Sequence, residues 1–334
     1  MTWFEQLTGC VETSPEDVRR QLVVEGSQLR SRSNGRTWNC GTLQILSLAE
    51  LREQVRSTPR DSKPLMVREI LANVQALHRD PGCANALFQV ASQFNLLEMV
   101  GPNVTPEDGV GIYERDFTQG PACAIAAGAG TIFRNYFAEV NGRVGQSAEN
   151  QIDCLSAVGK LLGNLDGSLW KMVNGYALPS PNGLAEINQK LRSFDPAALD
   201  EVRKSVQIGL HWNTQVTLDD ASHSVSQAYC SALPVAYTRY SQKDWKPFAT
   251  LVLEAAYEAT ICAAILNKAR TGDSRLFLTL LGGGAFGNDM GWIIDAMRRS
   301  LTLYRDSGLN IDIVSYRASN PRVQQLVQEL LPIV

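Results

Sequence analysis

The sequence predicts an α/β fold: a three-layer α/β/α sandwich around a mixed, mostly parallel sheet, with an N-terminal helical extension. Three observations carry this reading. Strand and helix patterns alternate, most sharply from Phe248 to Ser315, the order that builds parallel sheets. Two strands run through loops into helix starts, over 87–121 and 276–289. No repeat, low-complexity stretch or linker divides the chain, so 36–334 reads as one domain after an extension at 1–35.

The elements follow in order. Residues 1–35 are polar, with an Arg/Ser-rich patch Arg30-Ser-Arg-Ser-Asn-Gly-Arg36, and read as helix followed by loop. Thr42 to Leu46 is a short strand. Ser47-Leu-Ala-Glu50 is a capping box that starts a helix. The spacing of Met66, Ile70, Val74 and Leu77 predicts a second helix from Pro64 to the stop Asp80-Pro-Gly82. Leu87–Ala91 is a buried strand, and a long loop spans about 92–120. Pro121 suits the first turn of a helix of small residues, Ala122 to Gly130, continuing to Phe137. Leu169 to Leu178 reads as one strand entering the turn Pro179–Gly183. A polar helix fills about 184–205, Val206–Leu210 is a strand, and Ala232–Thr238 is a candidate for another. Helix Phe248–Arg270, strand Leu276–Leu281, a glycine turn, helix Asp289–Asp306, strand Ile311–Ser315 and a last short helix complete the order.

Composition narrows the function classes. Hydrophobic residues at 44% and charged ones at 19% exclude disorder, collagen and coiled coil. With 31 Lys+Arg against 34 Asp+Glu and no basic block, there is no footprint for nucleic acid. The apolar stretch Phe248–Ala269 is interrupted by Glu254 and Glu258, so no membrane span is expected. The start Met1-Thr-Trp-Phe-Glu5 does not read as a signal peptide. Cysteines 10, 40, 83, 123, 154, 230 and 262 are spread out without a C-x-x-C pair. They read as reduced, buried thiols of a cytoplasmic protein, and no metal site is expected.

Gly282-Gly-Gly-Ala-Phe-Gly287 follows a strand and opens a helix, with Asn288 or Asp289 as cap. Glycine allows positive φ and close backbone approach, and a helix start offers unpaired N–H groups. This is a phosphate site in prospect. A Rossmann fingerprint would stand on the first strand, and a Walker loop needs a Lys here, so neither applies. The stretch Ser92 to Pro121 has the same strand–loop–helix layout and holds Glu98, Glu107, Asp108, Glu114 and Asp116. Two such loops can grip one diphosphate from both sides.

These junctions resemble the phosphate-gripping loops of the macrodomain fold. Within it the chain resembles a divergent branch that includes bacterial effectors acting on ADP-ribosylated arginine. The likeness rests on Phe88-Gln-Val-Ala-Ser-Gln-Phe-Asn95, Thr105-Pro-Glu107, Tyr113-x-x-Asp116-x-Thr-Gln-Gly-Pro-Ala-Cys-Ala124, Cys230-Ser-Ala-Leu-Pro-Val-Ala-Tyr237 and Tyr257-Glu-Ala-Thr260. It covers about 40–317. The usual Asn-Ala-Ala-Asn stretch is replaced by Ala91-Ser-Gln-Phe-Asn95, and the first glycine loop by Thr118-Gln-Gly-Pro121. The double-glutamate signature of poly(ADP-ribose) glycohydrolases is absent, so polymer is not the expected substrate.

The resemblance implies a monomer that takes ADP-ribose or ADP-ribosylated protein, with no cofactor. Hydrolysis at the distal ribose C1″, from arginine, is the expected reaction; a reader that binds without turnover is the alternative, and an unrelated α/β protein with structural glycine turns the third. Asp116, just ahead of a helix start, is the first candidate for a water-orienting carboxylate. Glu107 is the second, and Asp108 can substitute for it. Gln93, Phe94, Asn95, Thr118, Gln119 and Gly120 are expected to line the ligand from one side. Gly283, Gly284, Ala285, Phe286, Gly287 and Asn288 are expected to line it from the other.

Overall fold

The computed structural model describes residues 1–59 and 62–330. The extension contains helices α1 (Trp3–Thr8) and α2 (Pro15–Gln21). Thr2 caps the first and Ser14 the second. Strands β1 (Leu22–Glu25), β2 (Gln28–Ser31) and β3 (Thr37–Asn39) then form an antiparallel sheet where the sequence suggests a loop. These strands are too short and polar to betray themselves. In β2 only Leu29 and Ser31 turn inward, and the Ser31 hydroxyl donates to Thr8 O at 2.6 Å.

Strand β4 (Thr42–Ser47) runs into α3 (Leu48–Arg56) through the expected capping box. Glu50 Oε2 accepts the Ser47 N–H at 2.8 Å while Ser47 Oγ accepts the Glu50 N–H at 3.2 Å. The helix expected from Pro64 is instead strand β5 (Met66–Leu71), followed by a short α4 (Val74–Arg79). Met66, Ile70 and Val74 are four apart, a spacing that satisfies both a 3.6 and a 2.0 period. Pairing with a neighbouring strand decides between them.

Strand β6 (Leu87–Ala91) is buried as expected. The small-residue helix is two, α5 (Gln119–Ala126) and α6 (Gly128–Tyr136), broken at Ala127. A hairpin β7 (Glu139–Val140) and β8 (Arg143–Val144) precedes α7 (Ser156–Leu162). The single strand expected at 169–178 is a hairpin, β9 (Trp170–Val173) and β10 (Tyr176–Pro179), turning at Asn174-Gly175. Both turn residues have positive φ, as that dipeptide allows. The polar helix divides into α8 (Gly183–Ser193) and α9 (Pro196–Lys204), because Asp195 caps a new start before Pro196.

Strand β11 (Gln207–Gln215) runs longer than expected. The next strand is β12 (Ser224–Cys230), while 232–238 holds only a short 3₁₀ turn. Helix α10 (Gln242–Thr271), strand β13 (Arg275–Leu278), helix α11 (Met290–Leu303), strand β14 (Asn310–Ser315) and helix α12 (Pro321–Leu330) follow.

The central sheet has the order β4-β11-β12-β6-β13-β14-β5. Pairings from β12 to β5 are parallel; β4–β11 and β11–β12 are antiparallel. Alternate side chains of β12 define the two faces. Gln227 donates to Cys123 O of α5, and Tyr229 lies under the Arg134 guanidinium of α6. Cys230 meets Thr260 of α10 on the opposite face. Helix α10 packs there with α3, α8 and α11, completing three layers. By length and apolarity α10 could cross a membrane, but 83% of its most apolar window is buried inside the fold. It is the core helix of this sandwich. All seven cysteines are buried, and none forms a disulfide among the described residues.

Candidate functional site

The site begins with a parting of strands. β6 and β13 pair only at Leu87–Leu276 and Phe88–Phe277, then separate. The sequence expects strand to Leu281, but pairing stops at Leu278. Side chains hold the split. Gln89 Oε1 accepts the Thr279 N–H at 3.2 Å. Gln119 covers the freed edge of β6, accepting the Ala91 N–H at 2.9 Å and donating to Gln89 O at 2.8 Å. The helix after β6 lies on one face and the helix after β13 on the other. Adjacent parallel strands whose connections diverge in this way leave a crevice at their C-terminal ends.

Two adjoining clefts fill this crevice, of about 540 and 220 Å³. They share Asp116, Thr118, Gln119, Thr279, Leu280 and Gly284. The larger has an apolar floor of Phe88 and Phe277, stacked at 4.5 Å, with Phe117 and Tyr316 exposed at its rim. The smaller is walled by Ser92, Gln93, Glu98 and an aromatic cluster of Tyr176, Tyr237 and Phe286, with ring centroids 5.0–5.6 Å apart.

The late glycine loop is built by two glycines in the left-handed region, of which Gly282 also borders the smaller cleft and Gly287 does not. Gly282 and Gly287 have φ of 73° and 69°. A Cβ on Gly282 would come within 2.4 Å of Ala232 Cβ, and one on Gly287 within 2.8 Å of Ala236 Cβ. Their bareness lets the loop close on 232–236. Asn288 fastens it, donating to Leu233 O at 2.9 Å, while Asp289 caps α11. Gly283 faces Ile293 rather than a cleft. Gly284, Ala285 and Phe286 line the smaller cleft. Among the described residues their backbone N–H groups have no partner. Across the cleft, the N–H groups of Gln119 and Gly120 at the start of α5 are also unpartnered among the described residues. Gly120 is required there, since a Cβ would lie 1.9 Å from Ala91 O. Two sets of unpartnered backbone donors therefore border one cleft, which suits an anion.

Asp116 borders both clefts, half-buried, with Oδ1 accepting the Thr118 N–H at 2.8 Å. The other candidates divide. Gln93 lines the smaller cleft, where its Oε1 accepts the Met99 N–H at 2.8 Å. Phe94 is buried in the main core, and Asn95 is buried with its amide donating to Gln151 at 2.8 Å; neither borders a cleft. Glu107 lies outside the clefts, both oxygens accepting the Ala148 N–H at 2.9 and 3.0 Å. Asp108 caps its own turn at Thr105.

Glu98, one of the acids of the second loop that the sequence gives no role, stands at the site. It lines the smaller cleft yet is only 2% exposed. Its Oε2 is 3.4 Å from Arg134, itself fully buried, and its Oε1 has no partner among the described residues. Burial pushes the carboxyl up to about 8, against the pull of Arg134. The signal was a charge inside an apolar run, Leu96-Leu-Glu-Met-Val100. A carboxyl held protonated by the fold stabilises fully below its ordinary value of 4.5 and loses that contribution as pH rises through about 8. Urea unfolding across this window should show stability falling in the native chain. Glu98→Gln should remove that part of the slope; equal slopes would mean the fold does not hold this proton.

Among the described residues no three His, Cys, Asp or Glu side chains gather as a metal site. Among the described residues no Lys, Arg or His lines either cleft.

No protein-family model and no curated protein matches the chain. Among solved structures it is similar to poly(ADP-ribose) glycohydrolase from Deinococcus radiodurans in complex with ADP-ribose, at 13% identity and a TM-score of 0.47, covering 86% of this chain and 94% of that one. It is also similar to poly(ADP-ribose) glycohydrolase from Thermomonospora curvata, at 12% identity and a TM-score of 0.47, covering 98% and 99%.

Proposed function

We propose that this protein binds ADP-ribose attached to a protein side chain and hydrolyses the bond at the distal ribose C1″. The observation that carries the reading is the pair of unpartnered donor sets on one cleft, Gln119 and Gly120 with Gly284, Ala285 and Phe286, and Asp116 in the same lining. A diphosphate accepts from such donors without a metal or a basic side chain. The apolar larger cleft, rimmed by Phe117 and Tyr316, suits a purine. The smaller then takes the distal ribose and its linkage.

Arginine is the linkage favoured by the wall chemistry. Asp116 offers a carboxyl and Tyr176, Tyr237 and Phe286 offer ring faces, and among the described residues no Lys, Arg or His lines the cleft. In the reaction water adds to C1″ and Asp116 takes its proton. The C1″–N bond breaks and its electrons pass to the guanidine nitrogen.

Matched peptides carrying ADP-ribose on arginine, glutamate and serine test this. Release from arginine should be fastest. Binding of free ADP-ribose without release from any peptide would make the chain a reader. A silent titration with ADP-ribose would overturn both.

Gly284→Val probes the grip itself. Gly284 has no atom within 4 Å of a Cβ and its φ is not left-handed, so the fold should tolerate the change. The branched side chain would instead stand in the shared part of the two clefts. ADP-ribose affinity should fall by roughly 2 kcal/mol or more at unchanged melting temperature. Unchanged affinity would remove this loop from the site.

A further inference from the structure

We propose that the first twelve residues position the catalytic loop, with Glu12 and Trp3 as positioning residues; the loop's catalytic role rests on the reading above. Glu12 carries three donors on one carboxylate. Its Oε1 accepts the Val110 N–H at 2.9 Å and the Tyr136 hydroxyl at 2.7 Å, and its Oε2 accepts the Gly111 N–H at 2.7 Å. The loop is cut to receive it. A Cβ on Gly109 would lie 2.6 Å from Glu12 Cδ, and one on Gly111 would lie 2.7 Å from Oε2. Gly109 also has φ of 85°.

Trp3 grips the same segment. Its backbone N–H donates to Glu114 Oε2 at 2.9 Å and its indole N–H donates to Val110 O at 2.9 Å. Gly128 leaves room for the ring, since a Cβ there would lie 2.6 Å from Trp3 Cζ3. Three glycines thus stand where the N-terminal segment docks.

The docked stretch leads directly to the site. The 3₁₀ turn Gly111–Arg115 ends where Asp116 N–H donates to Tyr113 O at 3.1 Å. Tyr113 Oη in turn accepts the Glu98 N–H at 3.1 Å. Phe117, Thr118 and the start of α5 follow. No residue from 1–12 lines either cleft, so the segment acts through the loop. A loop this long and irregular pays heavily in entropy unless it is tied down, and charge-assisted bonds to consecutive amides do this well.

Glu12→Ala and Glu12→Gln in the full chain test the assignment. Amide exchange over 110–116 should quicken by about tenfold or more in Glu12→Ala, with β6 and β13 still protected. With ADP-ribosyl-arginine peptide, kcat should fall about tenfold while KM changes much less, because the diphosphate donors lie outside the loosened stretch. Glu12→Gln keeps one acceptor oxygen and should recover part of both effects. Unchanged exchange over 110–116 would overturn the proposal. So would a lower melting temperature with native kcat per folded molecule, which marks a merely structural residue. The exchange arm needs no ligand. A native chain that hydrolyses nothing would overturn the functional reading alone, and exchange confined to 110–116 would still decide the positioning.

Discussion

Asp116→Asn should lower turnover by about 10²–10⁴-fold while leaving folding and ADP-ribose affinity nearly intact. The side chain's structural work is one bond, Oδ1 accepting the Thr118 N–H. An asparagine oxygen can make the same bond, so the turn into α5 survives. Even complete loss of such a cap costs about 1 kcal/mol. What the substitution removes is the charge and the proton acceptor next to both clefts. Melting temperature, ADP-ribose affinity and peptide turnover should be measured on one preparation. Near-normal turnover would sink the assignment. The search would then move to Glu98, the other carboxyl in the smaller cleft, and away from Glu107, which is occupied with Ala148.

The parts of this site that were legible are those written in local chemistry. A strand, three glycines and an Asp cap spell a tight turn into a helix wherever they stand. Pro121 and Gly120 spell a helix start pressed against a strand end. Asp116 was legible because it precedes that start by a few residues. The illegible parts depend on partners distant in the chain. Strand β12 lies in the middle of the sheet yet contains Ser226 and Gln227, polar residues that suggest a surface. They are tolerated because Gln227 reaches Cys123 O and His78, and Tyr229 donates to Gln227. Edge strand β5 carries a spacing that fits helix equally well, and only its parallel pairing with β14 resolves it. Phe94 and Asn95 follow a strand end, where ligand residues often lie, but Phe94 turns into the core. Asn95 is held by Gln151, and its carbonyl by Gln146. Asn174-Gly175 is the local signal of the hairpin β9–β10, which supplies Tyr176 to the smaller cleft.

Glu258→Ala should cost about 3 kcal/mol of stability, and its reason lies on the opposite face from the clefts. Glu254 and Glu258 interrupt the apolar run of α10, and four residues apart they share one face of that helix. Glu258 is 2% exposed. Arg52 donates to it through Nε at 2.6 Å and Nη2 at 2.9 Å, and Arg299 donates at 2.6 Å. Arg52 continues to Asp200 at 2.6 Å, Asp200 to Arg203 at 3.0 Å, and Arg203 to Glu254 at 2.7 Å. The network ties α3, α9, α10 and α11 together. Burial opposes the Glu258 charge, but hydrogen bonds from Arg52 and Arg299 outweigh it and hold the carboxyl below the usual range. Its contribution is therefore present above the unfolded carboxyl's value and is lost as pH falls through the folded one. Removing Glu258 leaves two guanidinium groups facing an emptied site. Breaking a buried pair costs about 3–5 kcal/mol. Arg52 and Arg299 keep side-chain exposures of 17% and 27%, which lets water relieve part of that and favours the lower end. Denaturant unfolding at neutral pH should show the midpoint shift at constant slope. A loss below about 1 kcal/mol would place this network with ordinary surface pairs. The acid limb gives a second reading: the difference between native and Glu258→Ala chains should shrink as pH drops through the carboxylate range.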